Sequence, residues 1–244
     1  MKSNEFFDIL LNTTLDSPDG KYMVVNGTST RLYNIPNNFT LEHTFLSDSF
    51  TLSSSWSPDG AFFAVLQSPP KLTIYECSSI PHPSEWNQLF DLTLDSETTS
   101  LSWGPTNNTH TLYYLAYGGK TEKITVMEIR SKEQCWEHAL VLPCPGRILD
   151  MDWRKDGMLA IGCTNGSAMI VNLHYLFTGT AVYQMDYKWQ RQGITCSVLM
   201  ERKSKEEDEE SEMTVVRWLS PNATQNHVLV VGGSDGIVET IDLS

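Results

Sequence analysis

Residues 51–94 cycle through short apolar segments separated by polar turns. Thr51-Leu52-Ser53-Ser54-Ser55-Trp56 alternates with a period of two, the pattern of a half-buried strand. Ser57-Pro58-Asp59-Gly60 follows, with Pro and Gly where a tight turn wants them. Ala61-Phe62-Phe63-Ala64-Val65-Leu66 is apolar without a break and fits a strand covered on both faces. The polar corner Gln67-Ser68-Pro69-Pro70-Lys71 leads to a third strand, Leu72 to Glu76, and Trp86 to Leu94 supplies a fourth, outer strand. Residues 148–173 repeat the cycle, with strands at Ile148 to Trp153, Met158 to Cys163 and Ser167 to Leu173. The Asn165-Gly166 turn between the last two predicts a hairpin in which both turn residues take positive φ. A further cycle runs through Val228 to Gly233, the turn Ser234-Asp235-Gly236, and Ile237 to Leu243.

The cycle recurs five times. Its first strand ends in Trp56, Trp103, Trp153 and Trp218, with Asp16 in the equivalent place at the start, and successive spacings are 40, 47, 50 and 65 residues. These sit near the period of about 40–45 residues expected of a four-stranded propeller blade. The third strand of each cycle closes on an aliphatic or aromatic residue followed by an acid or amide: Tyr33-Asn34, Tyr75-Glu76, Met127-Glu128, Val171-Asn172 and Ile241-Asp242. The four tryptophans, being equivalent, are expected to pack between blades.

With these residues in view, the chain resembles the WD40-repeat family from Leu15 to Leu243. The resemblance implies an all-β fold, a WD40-like β-propeller with five recognisable blades, incomplete or part of a larger propeller since the family most often builds seven. It implies one propeller domain over residues 1–244. No Gly-His dipeptide precedes any repeat, so the family's Asp-His-Ser-Trp hydrogen-bond network is not expected. Both Ala181 to Tyr187 and Ile194 to Met200 have strand character, and only one is needed to finish the fourth blade. Phe6 to Leu11 reads as an outer strand that pairs with the blade of Met213 to Leu243 and closes the ring, or as a short amphipathic helix.

The formal charge of −13 opposes bulk binding to nucleic acid or anionic membrane. Residues 201–212 hold seven acids against three bases and lie in the longest spacing, which predicts a disordered acidic insertion within the domain. The five cysteines contain no Cys-x-x-Cys pair and read as reduced, mostly buried strand residues. No segment is apolar enough to span a membrane, and the N-terminal residues lack the pattern of a signal peptide, so the expected location is cytoplasmic or nuclear.

Nucleophile elbows, dinucleotide and phosphate loops and the His-Glu-x-x-His zinc motif are all absent from the sequence. No catalytic residue, cofactor or metal ligand is assigned, and a propeller hydrolase is the least favoured reading. The first reading is a non-catalytic scaffold with protein partners in a multisubunit complex, without direct nucleic-acid binding or membrane insertion. The alternative is a substrate or degron receptor of a multisubunit ubiquitin ligase. It rests on the similarity of Asn12 to Lys21 and Ser54 to Gly60 to a fungal and plant WD-repeat branch that includes a GID-type ligase receptor. The resemblance places the loops between second and third strands on one face with the loops entering each blade. Its candidate protein-binding residues are Asn26, Gln67, Tyr117, Lys120, Asn165 and Asp235 from the former, with Asp48, Glu97 and Arg147 from the latter.

Overall fold

The computed structural model describes residues 14–45, 50–77, 82–94, 97–106, 111–173, 176, 195–201, 212–219 and 228–243, the side chains of 195–201 excepted. The candidate strand Phe6 to Leu11, the stretch Ala181 to Tyr187, Asp48 and nearly all of the acidic insertion lie outside these residues. Among the described residues every strand belongs to one of five antiparallel sheets. The first holds β1 (Thr14–Asp16), β2 (Tyr22–Val25), β3 (Thr30–Asn34) and β4 (Thr40–Phe45); the second holds β5 (Thr51–Trp56), β6 (Phe62–Gln67), β7 (Lys71–Glu76) and β8 (Asn87–Thr93). The third is built from β9 (Thr98–Trp103), β10 (Leu112–Gly119), β11 (Lys123–Arg130) and β12 (Cys135–Pro143). The fourth contains β13 (Ile148–Trp153), β14 (Met158–Cys163), β15 (Ser167–Asn172) and β16 (Thr195–Glu201). Among the described residues the fifth has three strands, β17 (Met213–Trp218), β18 (Val228–Gly233) and β19 (Val238–Asp242). Within every sheet the strands lie in chain order, so each sheet is a meander.

The meander follows from the turns. In the first two sheets Ser17 and Ser57 accept the amide hydrogens of Tyr22 and Phe62 on Oγ, at 2.8 and 2.9 Å. Asp19 and Asp59 accept the Ser17 and Ser57 hydroxyls and the Lys21 and Ala61 amides on Oδ1. Gly20 and Gly60, at φ of 68° and 72°, close the turn by donating to the Ser17 and Ser57 carbonyls. Glycine meets that positive φ without the cost a Cβ would bring. At Asn165-Gly166 only the glycine takes positive φ, at 73°, and its N–H donates to the Cys163 carbonyl. The hairpin is therefore a turn with glycine in its fourth position and not the doubly positive two-residue turn the dipeptide predicts.

Two regular departures from ideal pairing run through the sheets. The first strand carries one extra residue near its start in sheets two, four and five, at Leu52, Leu149 and Thr214. The fourth strand carries one extra residue in sheets one, two and three, at Glu42, Leu89 and Ala139, and the register shifts likewise in sheet four. Such bulges bend the strand and sharpen its twist. A second difference concerns Met127-Glu128, which sits inside β11 because that strand runs on to Arg130.

Residues 1–103 and 104–244 form two compact units. The first is packed around rings: Tyr22, Phe45, Trp56, Phe63 and Trp86 are all buried in one cluster with Val24, Leu32 and Val65. Trp56 lies 4.6 Å from Phe63 and 5.7 Å, edge to face, from Trp86. Trp86 does not open the outer strand as the pattern suggests. It follows a short 3-10 turn, Pro83–Glu85, that drops the indole into the cluster before β8 begins. In the second unit the cores are mostly aliphatic, one built on Ile124, Val126, Ile148, Leu159, Ile161 and Val171, another on Ile170, Val216, Leu229 and Val231. Trp103 and Trp56 are buried as expected, whereas Trp153 and Trp218 are half-buried.

Candidate functional site

Within each unit the joints between consecutive sheets determine which polar side chains are free to meet a partner. In the first unit Asn26 is buried, and its Nδ2 donates to Ser54 Oγ at 2.8 Å while Thr30 and Thr51 share a hydroxyl bond of 2.8 Å. The Thr51 amide donates to the Gly27 carbonyl. Asn26 is thus a pin between sheets one and two and not a solvated turn residue. Further along, Trp103 donates from Nε1 to the Ser55 carbonyl at 3.0 Å and stacks on Phe62, with ring centroids 6.0 Å apart. In the second unit the same joint is made by carboxylates. Asp150 accepts the Val216 amide at 2.9 Å and pairs with the Arg217 guanidinium; Asp152 accepts the Trp218 amide at 2.7 Å, and Trp218 Nε1 donates to the Asp152 carbonyl. The Arg154 guanidinium lies 4.6 Å from the Trp218 ring centroid and forks onto Asp156. Burial pushes the Asp152 carboxyl up to about 6, and raises Asp150 as well.

The other expected residues divide in the same way. Tyr117 lies inside β10, not in a loop; it is buried, and its hydroxyl meets His138 Nε2 at 3.0 Å. Gly118 and Gly119 continue the strand, and the reversal comes at the exposed Lys120, with Glu122 at a φ of 55°. Asn165 is half-buried: its Nδ2 donates to the Pro145 carbonyl at 3.2 Å and its Oδ1 accepts the Ser167 amide. Gln67 is the half-buried last residue of β6, and Asp235 is exposed while its Oδ1 accepts the Ile237 amide. The structure therefore leaves Lys120 and Asp235 exposed and Gln67 half-buried, and it uses Asn26, Tyr117 and Asn165 in internal hydrogen bonds.

A repeated clamp escaped the sequence pattern. In sheets two, four and five the residue just before the first strand accepts, on its carbonyl, an amide hydrogen from the turn between the second and third strands. The bonds are Ser68 to Phe50 at 2.8 Å, Thr164 to Arg147 at 2.9 Å and Ser234 to Glu212 at 2.9 Å. Ser234 Oγ also accepts the Glu212 amide. Phe50, Arg147 and Glu212 are all exposed, and so is Glu97 in the equivalent place before β9. Phe50 is 59% exposed, unusual for a phenylalanine held by a fixed backbone. One backbone frame thus presents an apolar, a basic and an acidic side chain from three different sheets. Two of the four positions, Glu97 and Arg147, follow from the expected loop placement; Phe50 was not among the expected residues, and Glu212, expected at the end of a disordered insertion, is held by Ser234.

Among the described residues no group of three His, Cys, Asp or Glu side chains is placed to hold a metal ion, and no helix is long and apolar enough to cross a membrane. No family model matches the sequence, and no curated protein matches it either. Solved structures do match. The crystal structure of the RRP9 WD40 repeats superposes with a TM-score of 0.67 at 12% identity, covering 95% of this chain and 59% of that one. U3-55K gives 0.65 at 12% identity, over 94% of this chain and 60% of that one. Sqt1 from Chaetomium thermophilum gives 0.64 at 18% identity, over 93% and 54%. This chain spans little more than half the length of each. Five consecutive meander sheets, their repeated turns and these superpositions together establish that the chain has the WD40-repeat β-propeller fold.

Proposed function

We propose that this chain is a non-catalytic protein-interaction scaffold, a WD40-like propeller subunit of a larger assembly. The observation that carries the reading is the clamp: the same hydrogen bond holds Phe50, Arg147 and Glu212 at equivalent positions while leaving each side chain exposed. A frame that fixes the backbone and varies the side chain suits recognition, because little ordering entropy remains to be lost when a partner binds. The WD40 neighbours support the same reading through their shared fold, which displays loops from distant stretches of chain on a rigid frame.

The contacting side chains are Phe50 and Gln67 in the first unit and Lys120, Arg147, Glu212 and Asp235 in the second. Asn26, Tyr117 and Asn165 keep these positions in place from beneath. The test is affinity capture of the full chain from cells with identification by mass spectrometry, followed by binding of the purified partner to two surface variants. Phe50→Ser with Gln67→Ala covers the first unit, and Lys120→Ala with Arg147→Ala covers the second. Loss of binding of tenfold or more in either, with an unchanged melting temperature, is the expected result. Full binding by both refutes this surface, and substrate turnover by the purified chain overturns the non-catalytic reading.

A further inference from the structure

A sheet that packs one face on a neighbour keeps its other face for a second neighbour. In sheet five, Leu229 and Val231 of the central strand β18 are buried in the core shared with sheet four, while Val228 and Val230, which alternate with them, are only half-buried. On this second face Val215, Gly232 and Val238 form one row across the three strands, and Arg217, Val230 and Thr240 form the next. A Cβ on Gly232 would stand 3.7 Å from Val215 Cβ and 4.0 Å from Val238 Cγ2, which places all three on one side of the sheet. Val238 is 68% exposed. A repeat face that meets solvent is normally polar, and this one is largely aliphatic. Sheet one has an open side of its own. Leu15, Val24 and Leu32 belong to the aromatic core shared with sheet two, whereas the opposite row, Asp16, Met23, Tyr33 and Leu41, has no buried member. Leu41 is 54% exposed.

The joints within each unit show which chemistry fits such a face. The residue before the tryptophan of one sheet accepts the backbone amide of the tryptophan in the following sheet: Ser55 takes that of Trp103 at 3.3 Å, and Asp152 that of Trp218 at 2.7 Å. In sheet five the residue before the tryptophan is Arg217, a donor, and in sheet one the tryptophan's place is held by Asp16, an exposed acceptor. Arg217 gives Nη1 to Asp150 but stays exposed, and a guanidinium has further N–H groups for a second carboxylate. We propose that the chain associates head to tail with a second copy, the open face of sheet five packing on the open face of sheet one in the other molecule. The valines of sheet five then lie against Met23, Tyr33 and Leu41. Arg217 meets Asp16, an opposite pair at the positions where the internal joints set an acceptor against a tryptophan amide. The contact is heterologous: each added copy leaves one face of either kind open, so growth can continue.

A single sheet face is small beside the ~800 Å² per partner of a stable dimer, so the association depends on concentration. It uses none of the loop side chains assigned to partner binding and is tested independently of them. The test is sedimentation equilibrium of the purified full chain over about 1–100 µM, a range suited to weak complexes. The average mass is expected to rise from 27.5 kDa past twice that value. Val238→Glu and Leu41→Glu, at exposed positions and with the fold checked by circular dichroism, are each expected to stay monomeric. Mixed in equal amounts, the two variants are expected to form a dimer that does not grow, because each supplies the face the other has lost. Asp16→Lys is expected to weaken self-association at least tenfold. A wild-type chain that stays monomeric, association that survives Val238→Glu, Leu41→Glu or Asp16→Lys unchanged, or a mixture that remains monomeric would each overturn the proposal.

Discussion

The two units solve one problem with different chemistry. Where sheet two meets the strand that follows it, the first unit uses Ser55 and an indole N–H from Trp103, with Phe62 stacked alongside. Where sheet four meets sheet five, the second unit uses Asp150 and Asp152 against the Val216 and Trp218 amides, with Arg217 and Arg154 nearby. The serine joint is neutral and gains most of its strength from the rings it brings together. The aspartate joint is charge-assisted, which strengthens each bond, but it takes two carboxylates out of water. Aromatic packing therefore makes the first joint indifferent to pH, and partial burial of charge makes the second one sensitive to it.

The largest test of this contrast is removal of the indole. Trp103→Ala leaves a cavity beside Phe62 where a buried indole stood and is expected to cost about 3–5 kcal/mol, read as urea denaturation of the full chain. Trp218→Ala should cost clearly less, because that ring is half-buried and its amide bond to Asp152 survives. Equal losses would show that the two joints do not differ in the way their packing indicates. Next in size is Gly162→Ala. A Cβ there would stand 2.8 Å from the Met213 carbonyl oxygen, which is backbone and cannot rotate away, so a loss of about 1–3 kcal/mol is expected. A stability equal to wild type would mean that sheets four and five pack less tightly.

The pH response follows with its sign fixed. Asp152 has a folded carboxyl raised from 3.8 to about 6, so the folded state holds the proton more tightly than the unfolded chain. Its contribution is fully present below about pH 4 and is lost as the pH rises through about 6, a change of roughly 3 kcal/mol. Asp150 shifts in the same direction, while Arg217 opposes both shifts and Asp150 itself adds to that of Asp152. Asp152→Asn keeps an acceptor for the Trp218 amide and should flatten the stability profile between pH 4 and 7. An unchanged slope in the variant would assign the dependence to other groups.

The smallest effect distinguishes two tryptophans of one unit. Trp103 Nε1 has a carbonyl partner, whereas Trp56 Nε1 is buried with no hydrogen-bond partner among the described residues. Trp103→Phe is expected to cost about 1 kcal/mol more than Trp56→Phe in thermal denaturation. A larger loss at Trp56 would contradict this assignment.

Strands were legible wherever side-chain period and turn chemistry agreed. Thr51–Trp56, Ile148–Trp153 and Val228–Gly233 stand where the alternation and the flanking turns place them. Of the two segments competing for the fourth place in sheet four, the one near Ile194 to Met200 takes it as Thr195–Glu201. What the pattern missed depends on pairing between strands. The bulges at Leu52 and Leu149 leave no local mark, because only the register against β6 and β14 reveals an extra residue. Tyr117 and Asn26 have polar groups that look suited to a surface, yet their partners, His138 and Ser54, lie 21 and 28 residues away. Trp86 was legible as aromatic but not as core, since three residues of 3-10 turn reverse its direction.

The Ser-Pro-Asp-Gly turn is a self-contained part. Its hydroxyl, carboxylate and glycine amide answer one another within six residues, and nothing in the bonding requires a particular neighbouring sheet. A piece of that kind can be copied along a duplicating chain while everything around it drifts. The two copies at Ser17 and Ser57 have matching bonding, although one leads to a strand beginning at Tyr22 and the other to one beginning at Phe62. At Arg154-Lys155-Asp156-Gly157 the serine is gone and the turn is one residue shorter, with the Arg154 amide donating directly to the Met158 carbonyl. There the Arg154 guanidinium holds Asp156 and lies over the Trp218 ring, so this turn serves both its own hairpin and a joint between sheets.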